Sequence, residues 1–326
     1  MTVPAGAFQT YSAIGNREDL EDTIYMISPT ETPFMSMAKR TTATATVHEW
    51  QRDSLTASNT SNAAIEGDDA ANGTSTPTTR LKNYCQISTK YAIVSGTQNA
   101  VNAAGRAREM AYQLMKRSEE LKRDMESILL SEHGSSAGGT GTARQLAGAE
   151  AWLSINKTSL GTGTAQSTIG FVTSTGLVTA VTDSTVAGTF VVAALKSQLR
   201  EIYTSGGSPK VIMVGPFNKQ QVSGFTGVAT LYREAGAMAD GTRIIGAADV
   251  YVGDFGELRV VPNRFQRDKT AFIFDMSMWA VAYLRKFQQN EIAKTGDAEK
   301  RQILAEYTLV CRHEGASGKV SDLTTS

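Results

Sequence analysis

Cysteine and histidine are scarce in this chain, with two of the former and three of the latter in 326 residues. Cys85 and Cys311 lie too far apart for a metal motif and are too few for a disulfide framework, so both are expected as buried free thiols. His48, His133 and His313 form no array at metal-ligand spacing such as His-x-x-x-His, and neither metal nor cofactor is expected. Net charge is missing as well: 32 Lys and Arg balance 32 Asp and Glu, so no global field draws the chain to nucleic acid or to a membrane surface. Aromatics, at 7%, are too few for a base-stacking surface but enough to argue against disorder. No apolar run approaches the roughly 18 residues of a membrane helix. The first residues have neither a basic leader nor an apolar segment, so no signal peptide is expected, and assembly in the cytoplasm is.

Catalytic motifs are also wanting. Gly139-x-Gly141 has no third glycine and no Gly-Lys-Ser/Thr, which excludes a dinucleotide fingerprint and a P-loop. There is no Gly-x-Ser-x-Gly elbow. The carboxylate pairs Asp68-Asp69 and Glu119-Glu120 fall in a polar loop and on a charged helix face, where nothing would tune them for acid–base work. No catalytic residue is assigned.

What the chain does have is a long helical pattern, Thr97 to Leu130. Ala104, Ala107, Ala111, Leu114, Ser118, Leu121, Met125 and Ile128 recur at steps of three and four and form one stripe. Lys116–Glu120, Glu119–Arg123 and Lys122–Glu126 are opposite charges four residues apart on the other face. One continuous spine helix of roughly 50 Å is predicted, stopping near His133-Gly134.

Ahead of the spine lie two arms. Residues 1–45 carry apolar anchors, among them Tyr25 and Phe34, but Pro29 and Pro33 forbid one helix, so this segment is expected to dock on the body or on an adjacent copy, and removal of residues 2–34 to leave a folded body. Strand patterns at 46–55 and 80–95 flank a polar stretch whose one large apolar side chain is Ile65. They predict a projecting hairpin with an acidic tip (Glu66, Asp68, Asp69) and a basic base (Arg80, Lys82), either a solvated loop or a charged contact with another copy. In 85–93, Cys85, Ile87, Thr89, Tyr91 and Ile93 alternate with polar and small residues, the pattern of a half-buried strand.

Beyond the spine, a helix at 191–202, a buried strand at 210–214, a helix opening at Pro216 and a hairpin around 253–257 predict a mixed α+β unit. Strands return at 271–284 and 302–313, the latter with Ile303, Ala305, Tyr307, Leu309 and Cys311 on one face, and 287–300 reads as the turn region between them.

That order of elements resembles the major capsid proteins of tailed bacteriophages, the Johnson fold shared with encapsulin shells. The likeness is sharpest in Arg17-Glu18-Asp19-Leu20 and Ile24 through Ser28-Pro29-Thr30-Glu31-Thr32-Pro33-Phe34, and it reappears in Ala305 to Val310 and Lys319 to Leu323. It implies an α+β chain with an N-arm at 1–45, an E-loop at 46–95, a peripheral domain of 96–150 and 276–326 that includes the spine helix 97–130, and an axial domain at 151–275. It further implies a coat protein that self-assembles through pentamers and hexamers into an icosahedral shell, the virion capsid around double-stranded DNA. No sequence-specific DNA binding and no membrane are implied. The chain begins at the arm, so either a separate scaffold or a prosegment already removed is expected, Met1 favouring the first, with portal and decoration proteins as further partners. Tyr25, Phe34, Glu66, Asp68, Asp69, Arg80 and Lys82 are the expected assembly contacts. The alternatives are an encapsulin-type compartment and a soluble α/β enzyme, the latter requiring a buried titratable cluster in a pocket.

Overall fold

The computed structural model describes residues 29–67, 73, 75–101, 108–162, 170–225 and 249–325. In chain order the first elements are α1 (Pro33–Met37), β1 (Lys39–Thr42), β2 (Val47–Arg52), β3 (Thr79–Tyr84), β4 (Gln86–Ser95), α2 (Gly96–Ala100) and α3 (Glu109–Leu129). There follow α4 (Ala149–Trp152), β5 (Lys157–Ser159), β6 (Phe171–Val172), β7 (Leu177–Val178), α5 (Val192–Thr204), β8 (Val211–Val214) and α6 (Pro216–Ser223). The last are β9 (Val250–Gly253), β10 (Gly256–Pro262), β11 (Ala271–Phe274), β12 (Trp279–Ile292), β13 (Ala298–Cys311) and β14 (Gly318–Ser321).

Two sheets organise them. One has the order β1-β12-β13-β4, the other β5-β14-β11-β8-β10-β9. The second sheet is buried on both faces at its centre. Val211, Met213, Phe272 and Phe274 join the core beneath α3, while Ile212, Val214, Ala271 and Ile273 pack with α5 through Leu195, Leu199 and Ile202. Strands covered on both sides read as unbroken apolar runs, which is why 211–214 and 271–274 stand out in the sequence. α5 ends where expected, with Gly206 at φ +85°, and the β9–β10 hairpin closes through Gly256 at φ +125°.

Two expectations need correction. The spine is shorter than predicted. α2 ends at Val101 and α3 begins after Arg108, both in extended backbone, so the long helix has 21 residues and runs about 32 Å. The stripe's first members, Ala104 and Ala107, fall outside the described residues. Residues 287–300 are largely strand rather than turn, because β12 and β13 stay paired out to Ile292↔Lys300. β4 leaves the hairpin arm to become the edge of the first sheet, and β14 crosses from the C-terminal strands into the second sheet, pairing with β11 and β5. The N-terminal arm docks on the body from Pro33 onward, one of its two expected places, since β1 pairs in parallel with β12.

Cys85 and Cys311 are buried free thiols, as expected. Burial pushes Cys85 up to about 11.

Candidate assembly surfaces

The arm's anchoring point is built from three distant segments. Pro33 opens α1 with its φ already set for a helix, but the Thr32 side chain makes no capping bond, which leaves the first N–H groups unsatisfied. Glu126 of α3 supplies what is missing. Its Oε1 accepts from Phe34 N–H at 2.7 Å and its Oε2 from Met35 N–H at 2.9 Å. Asn263, just past β10, donates its Nδ2–H to Oε1 at 2.7 Å. One fully buried carboxylate therefore ties arm, spine and second sheet together. Burial raises its pKa above the ordinary value, and the three donors pull the other way without cancelling the effect. Phe34 then inserts its ring 5.3 Å from Phe274 and 6.2 Å from Trp279.

Glu126 was expected to pair with Lys122 on the charged face, and this too needs correcting. Lys122 is exposed and Glu126 is buried. In sequence it looks like any charge on an amphipathic helix. The one hint is its place between Met125 and Leu129, at the edge of the buried stripe.

The expected assembly contacts divide. Phe34 is fully buried in its own chain, so its side chain meets the subunit core rather than a neighbour. Tyr25, Asp68 and Asp69 lie outside the described residues. Glu66 is exposed on the hairpin arm. Arg80 pairs with Glu49 across the β2–β3 ladder, and Lys82 N–H donates to the carbonyl of Gly176 at 2.9 Å, which fixes the hairpin's base against β7. Among the described residues, Glu66 forms no ion pair with Arg80 or Lys82.

Exposed apolar surface is concentrated nearby. Leu55 is 99% and Ile65 78% accessible on the hairpin arm. On β4 the alternation changes phase after Cys85: Ser88, Ala92 and Val94 turn inward, while Ile87, Tyr91 and Ile93 are 46%, 52% and 61% exposed. The break between β3 and β4 at Cys85 resets the pleat, so the apolar set faces outward. A further aromatic pair, Tyr203 on Phe255 at 4.8 Å, stands exposed by the β9–β10 turn.

The interior does contain a titratable cluster. Glu150 is fully buried, accepts from Thr270 Oγ1 at 2.8 Å and pairs with Arg267 at 3.0 Å, and Arg267 also meets Glu132 and Asp183. Lys319 Nζ donates to the Glu150 carbonyl at 2.7 Å, and burial lowers its pKa to about 8. These partners satisfy one another, and a carboxylate without exposure has no reach to a substrate, so the cluster is a brace that ties α4 and the loop after α3 to the second sheet. No group of His, Cys, Asp and Glu suited to a metal occurs among the described residues.

A family model described as SU10 major capsid protein matches residues 4–324, nearly the whole chain. The chain belongs to the SU10 major capsid protein family. It is a major capsid protein, with the α+β fold of tailed-phage capsids. The major capsid protein of Escherichia phage Phieco32 is 28% identical over 352 aligned residues, which cover 95% of each chain. Among solved structures, the mature capsid of bacteriophage PhiM1 aligns with TM-score 0.60 at 10% identity over 100% of both chains. The capsid of a native GTA particle aligns with TM-score 0.62 at 12% identity, covering 97% of this chain and 98% of that one. Identities this low speak for the fold alone.

Proposed function

We propose that many copies of this chain close, through pentamers and hexamers, into an icosahedral virion shell around the double-stranded DNA of a tailed bacteriophage. Assembly takes place in the host cytoplasm, with separate scaffold, portal and decoration proteins, and without an enzymatic step or sequence-specific DNA contact. The observation that carries this reading is the concentration of exposed apolar side chains on a projecting hairpin and on the outward face of an edge strand. Large apolar side chains held in water along a projecting arm mark a surface that another copy covers. Repeated around symmetry axes, such head-to-tail contacts close a shell, and balanced charge lets identical copies pack without self-repulsion. Tyr25, Glu66, Asp68, Asp69, Arg80 and Lys82 are proposed as polar and aromatic contacts between copies.

The test is negative-stain microscopy with sedimentation of the expressed full chain and of a Leu55→Ser/Ile65→Ser double variant. Rings or shells from the wild type, and monomers from the variant with unchanged circular dichroism, are expected. A wild type that stays monomeric across concentration and salt, with scaffold present, would sink the reading.

A further inference from the structure

Beside the docked arm lies a cleft of about 630 Å³ whose rim carries Arg40 from β1, Lys122 from α3 and Lys286 from β12. Its floor is Met35 and Tyr283, and Phe287 stands at its side. No acidic residue among the described ones lines it. Elsewhere Arg52, Lys90, Arg144, Arg267 and Arg285 each face a carboxylate, but none of the three rim cations has an ion-pair partner among the described residues. Three elements thus deliver like charges to one opening, an arrangement that repels itself unless an anion fills it.

The sequence holds a matching piece close by. Glu18, Asp19, Glu21 and Asp22 bracket Leu20, giving four carboxylates and one apolar side chain in five residues. Thr32 itself lines the cleft, and Asp22 precedes it by only ten residues, a tether of at most about 33 Å. A tether this short holds the acidic stretch at an effective concentration of roughly millimolar. The hairpin tip of a second copy has acids too, but no such tether.

We infer that this cleft is the docking site of the chain's own acidic stretch, residues 18–22, with Arg40, Lys122 and Lys286 receiving the carboxylates and Leu20 set against Met35 and Phe287. Docking there would extend the arm's hold on the body from Glu126 outward and set the direction in which residues before 18 leave the subunit.

The test uses dispersed full-length subunits, an equal mixture of isotopically heavy and light chains, and zero-length carbodiimide coupling of carboxylates to amines, mapped by mass spectrometry. Lys90–Asp124, at 2.6 Å, is the internal control. Expected are amide links from Lys122 or Lys286 to acids of 18–22 within one chain. Their yield should fall several-fold in about 0.5 M salt, where screening is short-ranged. It should also fall several-fold in Arg40→Glu, which leaves both lysines in place. Three results would overturn the assignment: heavy–light links, links from these lysines to Glu66, Asp68 or Asp69, or none to 18–22 while the control couples. Protection of these lysines from acetylation in DNA-filled particles but not in free subunits would give the cleft to nucleic acid instead. Because shell formation is not read here, failure leaves the capsid role untouched.

Discussion

Residues 33–42 and the hairpin tip at 53–67 both read in sequence as arms, yet the structure treats them oppositely. The first is short and begins with Phe34 and Met35, and it meets a carboxylate and an aromatic pocket prepared by elements far downstream. The second has only Leu55 and Ile65 as large apolar side chains, and both stay in water. An arm becomes part of the subunit when its apolar side chains and its orphan N–H groups find partners in the same place. With neither, its apolar side chains stay in water.

The sharpest way to break this comparison is Phe34→Ala. The ring is fully buried between Phe274 and Trp279, so a loss of about 3–5 kcal/mol in denaturant-unfolding stability is expected. A change below about 1 kcal/mol would mean that the arm is only loosely seated.

Glu126→Gln comes next. The amide keeps one acceptor oxygen and turns an NH2 toward a backbone N–H, leaving a buried donor unpaired, for a loss of about 1–3 kcal/mol at neutral pH. The same pair of proteins carries a pH signature. The folded pKa of Glu126 lies above its ordinary 4.5, so between those values the native state binds more protons than the unfolded one. Stability from this group is therefore present at low pH and declines as pH rises through the folded pKa. The stability gap between wild type and Glu126→Gln, from urea titrations, should be wider at pH 5 than at pH 8. A gap that widens with pH would show that the three donors, not burial, dominate.

The smallest effect on the subunit is expected from Leu55→Ser/Ile65→Ser: within about 0.5 kcal/mol, because these side chains touch little in the monomer. Its consequence belongs to assembly. Loss of several kcal/mol in the free subunit would show that the arm folds back on its own body.

Elements with a single strong pattern were legible in the sequence. The alternation Ile303, Ala305, Tyr307, Leu309, Cys311 is one core face of β13, and Val211 to Val214 is a strand buried on both sides. The hairpin at Gly253 to Gly256 and the helix ended by Gly206 follow from local turn chemistry. Elsewhere local pattern misled. Ile87, Tyr91 and Ile93 keep perfect period-two spacing, but period alone says which residues share a face, not whether that face points inward. Glu126 and Lys122 form an ordinary helix pair on paper, and only packing against α1 turns one inward and leaves the other at the rim of a cleft.

The sequence by itself determined the order of elements, the α+β class, the two unpaired cysteines and the projecting hairpin, because each follows from spacing within a few residues. Only the tertiary structure decided that β14 closes the second sheet, that the spine stops at 21 residues, and that Phe34 is core rather than contact. Phe34 depends on Glu126, 92 positions away, and β14 on β5, far earlier in the chain, meetings that no local pattern encodes.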